Sequence, residues 1–176
     1  KSSFHLLPAF NNYLRQSYYF DIFNKGTSAL KWTLSTPADW IVLNRKKGST
    51  TLEDRVWVSI DWNKVPTGER ISGTIDIKGE KAGEDKIYVS VFNPSSPSST
   101  QMDSLFVEHN GYVSINAADF NRKFENKEIE IKTIPNLGFE NASVQLGNPI
   151  APVQRTAGRN TPRVEYDFYT FEQGSV

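Results

Sequence analysis

The chain has 176 residues, 38% of them hydrophobic and 23% charged, with Lys+Arg and Asp+Glu balanced at 20 each. That length buries a core in one large domain or two small ones, and zero net charge gives no long-range pull toward nucleic acid or an anionic membrane. Cysteine is absent, which removes disulfides, thiolate metal sites and a cysteine nucleophile.

No apolar run reaches the roughly 20 residues of a membrane helix. The opening "KSSFHLLPAF" has neither a signal-peptide pattern nor an initiator Met, the start expected of a piece cut from a longer chain.

The periodicity is that of strands. "YYFDIFN" (18–24), "LKWTLST" (30–36), "WIVL" (40–43), "DRVWVSIDW" (54–62), "ISGTIDIK" (71–78) and "KIYVSVF" (86–92) are short and rich in β-branched and aromatic residues. Turn signals separate them at Asn24-Lys25-Gly26, Thr36-Pro37, Lys47-Gly48, Pro66-Thr67-Gly68 and Gly79 to Gly83. Side chains alternate between the two faces of a strand, so Val56, Val58, Ile60 and Trp62 share one face while Arg55, Trp57, Ser59 and Asp61 share the other. Ile71, Ile75 and Ile77 likewise oppose Ser72, Thr74 and Asp76. Closely spaced half-buried strands of this kind predict an immunoglobulin-like β-sandwich over residues 1–93.

"NPSSPSSTQ" (93–101) carries Pro and Ser without an apolar residue, and 94–101 reads as a linker. Beyond it, "LFVEHNGYVSI" predicts a hairpin turning at Asn110-Gly111, and "EIEIKTI" (128–134) and "RVEYDFYTF" (163–171) predict strands. A long irregular stretch runs from Pro135 to Pro162. Three or four strands do not close a sandwich, so residues 102–176 are expected to form the N-terminal part of a second, incomplete β-sandwich of jelly-roll type. The fold class is all-β, with no helix beyond a turn or two.

Little of the chemistry expected of an enzyme is present. His5 and His109 have no metal-ligand spacing. Ser104 beside Glu108-His109 reads as a polar hairpin end rather than a nucleophile and base. Glu128 and Glu130 would lie about 7 Å apart on one strand face, within the range of inverting glycosidases, but any E-x-E strand has that spacing. No catalytic residue, metal ligand or cofactor site is assigned.

The aromatic residues say more. Trp32, Trp40 and Trp62 fit core positions. Trp57 and Tyr88 fall among outward polar residues, and an aromatic on the wet face of a sheet is either a contact with another domain or a platform for a sugar ring.

With these residues in view, the chain resembles the C-terminal accessory region of glycoside hydrolase family 115, the xylan α-1,2-glucuronidases. The resemblance rests on "LPAFNNYLRQSYYFDIFNKGTSALKWTLST", "DRVWVSIDWNKVPTG" with "GTIDI", "FVEHNGYVSINAADF", "IPNLG" and "PRVEYDFYTFEQG", in that order. The first half also resembles BACON modules. The resemblance implies a bacterial secreted or periplasmic parent that removes (4-O-methyl-)glucuronic acid branches from glucuronoxylan by inversion. Its catalytic machinery would lie upstream, leaving this region non-catalytic.

The partners so implied are the upstream domains of the same chain, with xylan polysaccharide and a homodimer left open. Trp57 would be covered by an adjoining domain or by the 135–162 loop. "VSINAADF" is similar to modules that hold a structural calcium with two glutamates, but those positions are Asn116 and Ala118 here, and Ala118 has no side-chain oxygen for a hard cation. The alternative reading is a stand-alone carbohydrate-binding or cell-surface adhesion module.

Overall fold

The alternation legible in the sequence governs the first half of the protein. The computed structural model describes residues 5–80, 82–139, 142–153, 158 and 160–171. It divides into two compact units, Lys1–Ser99 and Thr100–Val176.

Among its described residues the first unit holds nine strands: β1 (His5–Leu6), β2 (Phe10–Asn11), β3 (Tyr18–Phe23), β4 (Leu30–Ser35), β5 (Ile41–Leu43), β6 (Lys47–Thr50), β7 (Glu53–Ile60), β8 (Gly68–Gly79) and β9 (Gly83–Asn93). One sheet runs β1-β9-β8-β4-β6, with β2 also on β9; the other is β3-β7-β5. The inward residues of both sheets meet in one core. Trp32, Leu34, Ile75, Val89 and Val91 come from the larger sheet, and Ile22, Ile41, Val56, Val58 and Ile60 from the smaller. This is a β-sandwich, as the spacing of strands predicts.

Three strands lie outside the sequence-based assignment. β1 and β2 run parallel to β9 and cover its edge, with Leu7 and Phe10 buried between the sheets. Lys47-Gly48, read as a turn, instead opens β6, which pairs antiparallel with β4. Glycine is present at that point because Trp32 lies directly across from Gly48 and its indole fills the space a Cβ would need.

The second unit holds short ladders: β10 (Phe106–Val107), β11 (Arg122–Phe124), β12 (Ile131–Pro135), β13 (Ala142–Leu146), β14 (Arg163–Glu165) and β15 (Phe168–Tyr169). They pair as β10-β15, β11-β14 and β12-β13. The only helical segment among the described residues is a 3-10 turn at Ser99–Gln101.

Several expectations are corrected here. The Asn110-Gly111 turn forms with both residues at positive φ (53° and 80°), but its arms make only an isolated bridge between His109 and Tyr112. The segment before the turn pairs instead with β15. Strand β12 begins at Ile131, so Glu128 and Glu130 lie ahead of it rather than on one strand face. Asn126 takes up the backbone N–H groups of Glu128 and Ile129 there, holding a turn. The expected strand 163–171 is broken between β14 and β15, and the irregular stretch after Pro135 contains strand β13.

Candidate functional site: two outward aromatic faces

Strand β7 presents Trp57 outward because its neighbours Val56 and Val58 are fully buried. The indole remains 45% exposed. Its cross-strand partner is Tyr19 on β3, and the two rings meet edge to face at 5.1 Å between centroids. Two pairs along, on the same face, Arg55 and Asp21 are also directly opposite. The Arg55 guanidinium bonds Asp21 in a fork, at 2.9 and 3.0 Å, and stacks 3.7 Å above the Tyr19 ring. That hydrogen-bonded guanidinium holds the Asp21 carboxyl below its ordinary value against a smaller opposing effect of desolvation.

On the other side, Asn44 binds the Trp57 backbone at both ends. Its side-chain oxygen accepts from the Trp57 N–H at 3.0 Å, and its own N–H donates to the Trp57 carbonyl at 3.1 Å. Val42 on β5 and Phe23 on β3 are exposed on the same sheet. The outer face of the smaller sheet is therefore a largely aromatic and apolar strip that carries the Arg55–Asp21 pair, with the Glu53 carboxylate opposite Phe23 also acting on Arg55.

Tyr88 on β9 is 37% exposed, outward between buried Ile87 and Val89. It belongs to the larger sheet, opposite Thr74 of β8. Trp57 and Tyr88 thus lie on the outer faces of different sheets, with the core between them. Alternation puts each outward but does not say which sheet each strand joins. The two residues belong to two surfaces, not one site.

The surroundings of Tyr88 are polar. Ser35 faces Asp76, which faces Lys86; Thr33 faces Lys78, which faces Glu84. Together with Tyr88 they border an open hollow of about 680 Å³. Sequence reasoning singled out Tyr88 but not this ring of neighbours, because they converge from three strands only once register is set.

Elsewhere several polar side chains are engaged with one another. Arg122 on β11 grips Asp167 with 2.6 and 2.7 Å bonds and Glu165 at 3.0 Å. Arg163 bonds the other Glu165 oxygen at 2.7 Å and stacks on Phe124. Glu108 accepts the backbone N–H of Phe171 at 2.7 Å, and His5 meets Asp85 at 3.1 Å. Asp21, Glu125, Glu165 and Asp167 are all shifted downward, in each case most strongly by a hydrogen bond to the carboxylate. A general acid at neutral pH needs the opposite shift.

Among curated proteins none matches this chain. Among solved structures it is similar to a Bacteroides ovatus GH5 xyloglucanase in complex with a XXXG heptasaccharide, at 18% identity and TM-score 0.38. That match covers 54% of this chain and only 18% of the xyloglucanase. The periplasmic chaperone SfaE aligns at 9% identity and TM-score 0.44 over 92% of this chain and 88% of its own. The E. coli chaperone DraB aligns at 8% and 0.42 over 85% and 83%. Residues 105–176 match the family model of the glycosyl hydrolase family 115 C-terminal domain. The match falls within the second unit and agrees with the resemblance read from its sequence there.

Proposed function

We propose that the chain is a non-catalytic accessory region of a glycoside hydrolase that removes (4-O-methyl-)glucuronic acid branches from glucuronoxylan. The family match over residues 105–176 carries this reading.

Its structural part concerns the outer face of the smaller sheet, which packs against an upstream domain of the same parent. Trp, Tyr and Arg are the residues that concentrate binding energy at protein contacts, and Trp57, Tyr19 and Arg55 stand together here. The Arg55–Asp21 fork and the Asn44 clamp hold that face rigid before contact, so little ordering entropy is lost when a domain covers it.

Two measurements test the reading. The purified chain incubated with glucuronoxylan releases no glucuronic acid; release by a contaminant-free preparation overturns the non-catalytic assignment. In the parent enzyme, Trp57→Ala weakens the interdomain arrangement by about 1–3 kcal/mol, the scale of burying a large aromatic, while residues 1–99 alone lose little. Equal loss in both forms, or none in the parent, removes the interdomain role.

A further inference from the structure

The outer face of the larger sheet has a different chemistry from the Trp57 face. Lys86 Nζ lies 3.1 Å from Asp76 Oδ1, and Lys78 Nζ lies 2.9 Å from Glu84 Oε1. Ser35 and Thr33 extend these two pairs across β4 into cross-strand rows. The rows are two residues apart along the strands, about 7 Å. Beside them stands Tyr88, 37% exposed and the one aromatic among the described residues bordering the hollow.

We propose that this hollow binds a neutral polysaccharide chain, with one pyranose ring against Tyr88 and its hydroxyls bonded along the Ser35–Asp76–Lys86 row. The C–H face of a pyranose is apolar and packs on an aromatic ring, while each hydroxyl both donates and accepts. A carboxylate beside an ammonium offers an acceptor and a donor at fixed separation, and each such contact is charge-assisted.

Charge sets the ligand class. Two lysines, Lys78 and Lys86, border the hollow against three carboxylates, Asp76, Glu84 and Asp85. Both lysines are engaged by carboxylates, and His5 lies on Asp85. An added uronate would meet net like charge, whereas a neutral backbone meets only paired groups. The inference rests on the accessory-region reading only for its first probe, xylohexaose.

The test is a backbone NMR titration of the whole purified chain with xylohexaose, cellohexaose and mannohexaose. The expected result is saturable shifts at amides around Ser35, Asp76, Lys86 and Tyr88 with at least one of them. Tyr88→Ala weakens that binding about tenfold or more, Tyr88→Phe by no more than a few-fold, and Trp57→Ala leaves it unchanged.

The absence of saturable shifts with all three sugars overturns the proposal, and the wild-type spectra decide this whether or not a variant folds. Undiminished binding by a folded Tyr88→Ala overturns it as well, as do salt-sensitive shifts produced there by glucuronic acid. Binding of cellohexaose or mannohexaose but not xylohexaose upholds the hollow and leaves the accessory-region reading standing, since that reading does not require this chain to bind xylan.

Discussion

The indole of Trp32 lies against the backbone of Gly48, its direct cross-strand partner, so closely that a Cβ at that position would collide with the ring. Trp32 is only 2% exposed and cannot swing away without leaving the core. Its Nε1–H is also tied to Asp54 at 3.0 Å, and Asp54 is paired with Arg45. The edge strand β6 therefore depends on a missing side chain.

Gly48→Ala should accordingly destabilise the first unit. Overpacking a fixed aromatic costs about 1–3 kcal/mol, read as a lower urea midpoint at unchanged slope. A change below about 0.5 kcal/mol, the level of an ordinary surface substitution, would show that the ring shifts freely.

The two units should differ in local stability. The first pools its buried apolar residues in one cluster, while Met102, Val107, Ile129 and Ile131 are the buried apolar residues described after Ser99. Hydrogen exchange on the whole chain should find the slowest amides in β7, β8 and β9, and faster exchange in β11 to β14. Comparable protection in both units would contradict this.

Acid should weaken the second unit through Arg122. Its hydrogen bonds hold Asp167 below the ordinary 3.8, and Arg163 and Arg122 together hold Glu165 below the ordinary 4.5. The unfolded chain therefore takes up these protons first on acidification. The stabilisation is present above the ordinary values and is lost as pH falls through the lower folded ones. Arg122→Gln should flatten the pH dependence of β11–β14 protection below about pH 5. An unchanged slope would remove the network from the acid response.

His109 gives a second pH window. Partial burial lowers its pKa below 6.5, favouring the neutral ring in the folded state. Stability is unaffected above 6.5 and declines as pH falls from there through the lower folded value, because the unfolded chain protonates first. His109→Gln should abolish that decline around the 109–112 turn, as followed by amide exchange. A decline of the same size in the variant would assign it to other groups.

Much of the first unit is written in local pattern. Val56, Val58, Ile75, Val89 and Val91 alternate with polar neighbours, and every one of them is buried. Trp57 and Tyr88 are outward for the same reason. The likeness of the second unit to a known family model is also legible, in motifs such as "FVEHNGYVSINAADF", although its strand pairing is not. Local signals mislead where a distant partner overrides them. Lys47-Gly48 has the composition of a turn, yet it is strand because Trp32 needs an unobstructed backbone across from it. Ala142–Leu146 is strand within a Pro- and Gly-rich stretch because β12 supplies its ladder.

The period of two fixes which way a side chain points from its own strand, since that depends only on backbone geometry. It does not fix which sheet the strand joins, which depends on pairing between residues far apart in the chain. The sequence alone therefore determined that Trp57 and Tyr88 face solvent. Tertiary structure alone decided that β7 pairs with β3 and β9 with β8. That long-range choice places Trp57 on an aromatic face beside Tyr19 and Tyr88 on a polar one beside Asp76 and Lys86.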